Sequence, residues 1–397
     1  MARDFSLQAL SPKKAHFCLA VERFMQQELG LNLQGKRVLL GYSGGPDSTA
    51  LLLCFHALAP KLGLVLAAAH IHHGIRPESA QEEKDCTALC RSLGIPLFVH
   101  QATVPDLAAS LGTGLEETAR TVRYEFFASL QSCWPYDFLA LGHHLDDLAE
   151  DVFLRLLRGT GWPALGGMVA HDTRRALLRP FLHTPKVELE EFLHTLPVAV
   201  AHDASNDADN TLRNRIRHHV VPFFLKENPQ FLRSVAGLSK LARDDTSFFA
   251  QQLEDLLPGA DNASNACFTV GKANLQEFGG KGLNKSLQSI TGVKCSGLST
   301  VAPEAGTAAS GNSPASPQMA CTLEKMRLQN LPRSLRLRLY KRCLDSLGPG
   351  QALLPNLLDL DTCWLRGKGG SIIQFPGGKT AKIHKGNILF AFPAREV

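Results

Sequence analysis

From Arg37 to about Gly159 the chain alternates two patterns of apolar and polar positions. Compact apolar runs, RVLLGY, LGLVLAAAH, IPLFVH and YDFLALGHH, finish at or beside Gly or His, as strands buried on both faces do. Between them, STALLLCFHALA, ESAQEEKDCTALCRSLG, GLEETARTVRYEFFASL and LDDLAEDVFLRLLRG place apolar residues at helical spacing. Strand–helix alternation of this kind predicts an α/β fold with a doubly wound parallel sheet. Ligands in such sheets bind beyond the C-terminal ends of the strands. The chemically suggestive residues, Ser43 to Ser48, His70 to Arg76 and His143 to Glu150, fall at those ends.

The pattern then changes. Arg174 to Pro222 brings polar turns and the basic segment TLRNRIRHHVVP, and Asn228 to about Leu257 has helical spacing. Ser296 to Gln318 offers almost nothing to bury and has one charge, Glu304, so it reads as a flexible linker. Beyond it, CTLEKMRLQNLPRSLRLRLYKRCLDSLG looks helical with a break near Pro332. SIIQFPGGKTAKIHKGNILFAF alternates about a Pro-Gly-Gly turn like a small β element. The expected division is a first domain over 1–222, a helical region over 223–257, a low-complexity insertion over 258–320, and a small α+β domain over 321–397.

Composition narrows the class. With 44% hydrophobic and 20% charged residues the chain is an ordinary globular protein, long enough at 397 residues for two or three cores. A net charge of +5 permits a polyanionic partner without requiring one. Ten scattered cysteines without a CxxC pair read as reduced thiols. No signal peptide or membrane span is visible, and the expected location is the cytoplasm.

GYSGGPDSTALLL lies between a strand and a helix. Gly44 and Gly45 let the backbone turn tightly, Pro46 suits a first helical position, and Ser43 and Ser48 add hydroxyl donors. A helix N-terminus there favours an anion. Asp47 makes sense beside phosphates if a divalent cation lies between them. A plain capped turn is the simpler alternative, and a Walker loop is excluded because no lysine follows the glycines. Strand–SGGxDS–helix resembles instead the N-type ATP pyrophosphatases, or PP-loop proteins, which pass AMP to an acceptor oxygen.

Three further segments bear on the acceptor. HIHHGIRPES lacks the Cys or carboxylate spacing of a zinc site, and its Arg76 suits a phosphate. In GLEETARTVRYEFF, Arg120 shares a helix face with Glu116 and Glu117, so an orienting ion pair is expected. GHHLDDLAEDVFLRLLRGTG puts Asp146, Asp147, Glu150 and Asp151 in one helix opening, more repulsion than a cap requires, and such a cluster wants a metal or an ammonium. SGGPDS, HIHHGIR, GLEETAR with RY, GHHLDDLAEDVFLRLLRGTG and DASNDADNTLRNRIR, in this order, resemble the tRNA(Ile)-lysidine synthetase family, firmly over about Arg37 to Pro222 and more loosely over Leu331 to Phe392.

The resemblance implies a PP-loop, Rossmann-like first domain and a C-terminal domain of tRNA-binding type. It implies ATP with Mg²⁺, L-lysine, and tRNA(Ile) with anticodon CAU; the wobble cytidine would be adenylated and then attacked by lysine. Carried onto this chain, Ser43, Gly44, Gly45, Pro46, Asp47 and Ser48 would bind ATP, with Asp47 as the Mg²⁺ carboxylate. Asp147 and Glu150 would hold lysine and serve proton transfer; Arg120, ahead of Arg123, would orient lysine or phosphate, and His143 is a lesser candidate. Arg213, Arg215 and Arg217 would contact RNA, as would the run from Thr322 to Cys343 with seven basic residues against one acidic, unless that run is a solvated face. A homodimer is compatible with the family. Leu148 and Asp151 depart from its usual Gln and Thr. Competing readings are a sulfur-transferring enzyme using Cys86 and Cys90, a glutamine-dependent amidotransferase, and a non-catalytic nucleotide or RNA binder.

Overall fold

The computed structural model describes residues 5–72, 74, 79–198, 200–201, 209, 211–256, 320–348 and 350–392. The described chain forms two compact units, one of Met1–Leu157 with Ala164–Arg243 and one of Arg158–Pro163 with Asp244–Val397. The expected insertion at 258–320 falls outside the described residues except for Ala320, as does Arg76.

In the first unit, α1 (Pro12–Arg23) precedes β1 (Arg37–Gly41), α2 (Pro46–Leu62), β2 (Val65–His72) and α3 (Ser79–Ser92). Then come β3 (Leu97–Gln101), α4 (Val104–Leu111), α5 (Leu115–Cys133), β4 (Phe138–Ala140) and α6 (Leu145–Leu157). The strand order is β3-β2-β1-β4, extended by β6 (Leu177–Leu178) and β5 (His171–Asp172). All pairs are parallel except β5 with β6. The period of two explains why the strand runs looked wholly apolar. Val38 and Leu40 of β1 join one core, with α1 and α2, while Leu39 faces the opposite core with Phe126, Phe127 and Leu130 of α5. Covering both faces in this way is what makes the sheet doubly wound.

After β6 the chain continues with α7 (Lys186–Leu193), the four-residue α8 (Leu212–Arg215), a π-turn at Ile216–Val220, α9 (Val221–Glu227) and α10 (Phe231–Leu256), whose residues beyond Arg243 belong to the second unit. Ile216, Val221 and Val235 pack on Leu145, Leu148 and Ala149 of α6. That third core fixes α6 and the basic segment against each other.

The second unit has an antiparallel sheet in the order β7 (Ala320–Leu323), β10 (Asn387–Ala391), β9 (Lys379–His384), β8 (Ile372–Phe375). Its helices are α11 (Lys325–Leu328), α12 (Arg333–Ser346) and α13 (Leu354–Leu365). Tyr340, Leu360, Ile388 and Phe390 are fully buried between them. Arg336 forks onto Asp361 at 2.8 and 3.0 Å, and the Tyr340 hydroxyl donates to the same carboxylate at 3.2 Å. Much of the basic run is therefore spent inside this unit. Arg333 and Arg336 face Asp361, Lys341 pairs with Asp345, and Arg338 lies over the Phe249 ring.

Candidate active site

The β1–α2 loop holds itself open through its two serines. The Ser43 and Ser48 hydroxyls lie 3.0 Å apart, Ser48 Oγ accepts from the Ser43 N–H at 3.2 Å, and Ser48 Oγ donates to the Gly45 carbonyl at 3.0 Å. Gly44 has φ +87, which favours glycine, and a Cβ there would lie 3.0 Å from Cys86 Sγ of α3. Gly45 caps the helix and Pro46 opens it, so the first turn of α2 presents its unpaired N–H groups at the end of β1. From the neighbouring strand, Gly142 approaches so closely that a Cβ would stand 2.9 Å from the Asp47 carbonyl oxygen. The loop is thus seated on the end of β4.

Immediately after Gly142 come two histidines with opposite settings. His143 Nδ1 lies 3.2 Å from Arg179 Nε, the donor, and the ring is pushed down to about 3, chiefly by burial and then by the surrounding arginines. His144 is buried too, which opposes its protonation, but Asp147, Asp47 and Asp146 outweigh that and raise it above an ordinary imidazole. Its Nε2 stands 3.6 Å from Asp47 Oδ2 and 3.5 Å from Asp147 Oδ2. The two carboxylates therefore lie no more than about 7 Å apart across one ring nitrogen. The loop and the acidic helix share one site.

Asp147 and Glu150 project from the first turns of α6 and are buried. Arg213 Nε donates to Glu150 at 2.7 Å and its Nη2 to Asp147 at 3.0 Å. Arg217 reaches Glu150 at 2.6 and 3.1 Å and Asp147 at 3.3 Å. Burial alone would raise the Asp147 carboxyl, yet His144 and Arg213 hold it down at about 2. Arg213 and Arg217, expected as RNA contacts, are thus paired with the acidic residues while their side chains stay 29% and 30% exposed. Two buried carboxylates without counter-charge would be costly, and the guanidinia supply it. Arg215 turns elsewhere, donating to the Asp209 carbonyl at 3.1 Å.

Arg120 departs from its expected ion pair. No pair with Glu116 or Glu117 forms among the described residues; the guanidinium lies over the Tyr124 ring at 5.1 Å, where Arg175 also sits at 5.3 Å. Both glutamates are exposed, and exposed pairs gain little over solvation. No hydrogen bond or ion pair joins Arg120 to Asp147 or Glu150 among the described residues; its described contact is the Tyr124 ring. The half-buried Arg123 is depressed mainly by burial. Asp151, the charge that departs from the family pattern, pairs with Arg155 at 2.7 Å. His70 is buried with its Nδ1 at 2.9 Å from the Tyr42 carbonyl. Cys86 and Cys90 are buried, and burial pushes both thiols up to about 12, the opposite of a reactive thiolate.

Gly142 and Arg179 have no individual signal in the sequence, and His144 stands out only as part of the run His143 to Glu150. The HH doublet and the Arg-Pro after LL were visible, but a two-residue strand such as β6 leaves no periodic signal.

Residues 15–224 match the PP-loop domain family. A tRNA(Ile)-lysidine synthase of Nitratidesulfovibrio vulgaris is 40% identical over 364 residues, 92% of this chain and 94% of that protein. This chain belongs to the tRNA(Ile)-lysidine synthase family. Its Geobacillus kaustophilus namesake is 34% identical over 56% of this chain and 49% of its own length. Among solved structures, the U34-tRNA thiolase NcsA of Methanococcus maripaludis has a TM-score of 0.49 at 18% identity, covering 57% of this chain and 80% of that one. In this lysidine synthase relative, no described helix is long and apolar enough to cross a membrane.

Asp47 bears on the Mg²⁺ that the resemblance implies. Its Oδ1 is buried without a hydrogen-bond partner, an orphaned anionic oxygen at a phosphate-type loop. That fits Mg²⁺, which usually takes one or two carboxylates and completes its shell with phosphate oxygens and water.

Proposed function

We propose that this chain joins L-lysine to C2 of the wobble cytidine of tRNA(Ile) with anticodon CAU, converting ATP to AMP and diphosphate. The observation that supports this most is that Asp47 and Asp147 both lie within 3.6 Å of the same His144 nitrogen, which brings the lysine-free loop and the acid pair of α6 together.

In the first step the C2 oxygen of cytidine attacks the α-phosphorus and the bond to diphosphate breaks. The α2 N-terminus and the loop hydroxyls of Ser43 and Ser48 bind the triphosphate. Asp47 would hold Mg²⁺, which supplies charge neutralisation for the phosphates. In the second step the lysine ε-ammonium gives one proton to solvent, the amine so formed attacks C2, the C2–O bond breaks, AMP leaves with the electron pair, and the nitrogen gives its second proton to solvent. A carboxylate held at about 2 binds a cation better than it accepts a proton, so Asp147, with Glu150, is assigned to holding the amine. Arg120, held over the Tyr124 ring, is assigned to orienting lysine or phosphate, and Arg215 to the RNA backbone.

Diphosphate release tests the adenylation step. It is expected with ATP and tRNA(Ile) together and not with either alone, and Asp47→Asn is expected to abolish it while tRNA affinity stays near that of the wild type. Release from ATP without tRNA, or full release by the variant, contradicts the reading.

A further inference from the structure

The pocket assigned to the amine is already electrically filled. Two carboxylates meet two guanidinia, so its formal charge is balanced. Glu150 accepts three N–H bonds, and Asp147 accepts two from the arginines and one from the His144 backbone. A carboxylate offers about four acceptor positions, so an ammonium with three donors cannot be satisfied there while both arginines remain. The carboxylate side chains are 11% and 2% exposed, whereas the arginine side chains over them are 29% and 30% exposed. The arginines are the outer layer and the carboxylates the inner one.

We infer that Arg213 and Arg217 are internal stand-ins for the substrate ammonium and determine which amines enter: lysine binds by taking the place of one of them on Asp147 and Glu150. This rests on the amine-pocket assignment above. Asp147 and Glu150 are fixed on a thirteen-residue helix whose Leu145, Leu148 and Ala149 are locked in a core. The arginines hang on long stems from a four-residue helix and a π-turn, so releasing an ion pair uncovers the carboxylates and loosens the short backbone segment that the pair ties to α6. The exchange selects for charge. A cation replacing a guanidinium keeps the pocket neutral, whereas an uncharged side chain leaves a buried carboxylate unpaired.

Binding of labelled L-lysine to the full chain, without ATP or tRNA, tests this. Removing one competitor with Arg217→Gln is expected to tighten binding, about tenfold if the covered form holds nine molecules in ten. Unchanged or weaker binding by the folded variant overturns the inference and makes Arg217 a plain structural partner. Where the variant does not fold, wild-type amide exchange over residues 212–220 decides. Lysine is expected to speed it and norleucine, its uncharged analogue, to leave it unchanged; slowing, or no response to lysine, overturns the inference. A wild-type chain that forms no lysidine at all strikes at the proposed function instead, so the two failures are distinguishable.

Discussion

Gly142→Ala is the sharpest test of how the loop is seated. The added methyl would lie 2.9 Å from the Asp47 oxygen, 3.0 Å from its carbonyl carbon and 3.3 Å from the Ser48 nitrogen. Ordinary contacts begin near 3.4 Å, so one partner must retreat by about half an ångström. The strand end is pinned: β4 pairs with β1 and β6, and the Leu141 N–H donates to the Leu178 carbonyl at 2.9 Å. The retreat therefore falls on the first turn of α2, moving the phosphate donors and Asp47. A misplacement of about 1 Å costs on the order of a hundredfold in rate, so half of that predicts roughly a tenfold fall in kcat. Overpacking adds about 1–3 kcal/mol of destabilisation, which thermal unfolding would show as a lowered Tm. The assay is tRNA-dependent diphosphate release at saturating ATP, with tRNA Kd measured in parallel and expected to be unchanged. Wild-type kcat and ATP KM would refute the reasoning, because the strand and not the loop would then have yielded.

Three other outcomes are expected. Asp147 is depressed from 3.8 to about 2, so its stabilising contribution, about 2 kcal/mol, is complete above its ordinary value and lost as pH falls through the folded one. Urea unfolding of wild type and Asp147→Asn between pH 5 and pH 2 should show that excess loss only in the wild type, and parallel curves would contradict it. Arg215→Glu should weaken tRNA binding and flatten its salt dependence by about one unit or more of log–log slope. An unchanged slope would leave Arg215 with only its Asp209 contact. In the second unit, Lys379 Nζ donates to the carbonyls of Leu344, Gly348 and Gly350 at 2.8, 3.0 and 2.7 Å. Lys379→Met should cost roughly 2 kcal/mol in denaturant unfolding, since the buried Leu344 carbonyl left unpaired costs about 1–3 kcal/mol while water can reach those of Gly348 and Gly350; a loss below about 1 kcal/mol would contradict it.

The parallel sheet was legible because four of its strands are apolar on both faces and are spaced by helices with clear periodicity. The turn chemistry at Ser43 to Ser48 was legible because glycine, proline and serine act locally. The β5–β6 hairpin was not, since two-residue strands have no period, and β7 was hidden because its pairing with β10 is long-range. Side-chain destinations were the hardest. RNRIR looks the same in sequence whether it faces RNA or a buried acid pair; the outcome depends on α6 packing against Ile216, a contact between residues more than sixty positions apart. Arg120 followed an aromatic ring in place of the glutamates at its own helix start, because helical spacing fixes which side chains are neighbours but not which is preferred.

The central claim is that one site adenylates a cytidine and then delivers lysine to it. Its most direct test is a nucleoside digest of tRNA(Ile) with anticodon CAU after incubation with the protein, ATP and labelled L-lysine. The account predicts label in lysidine at the wobble position, with AMP formed in equal amount and neither product formed by Asp47→Asn. Unlabelled cytidine at that position, with ATP still consumed, would contradict it.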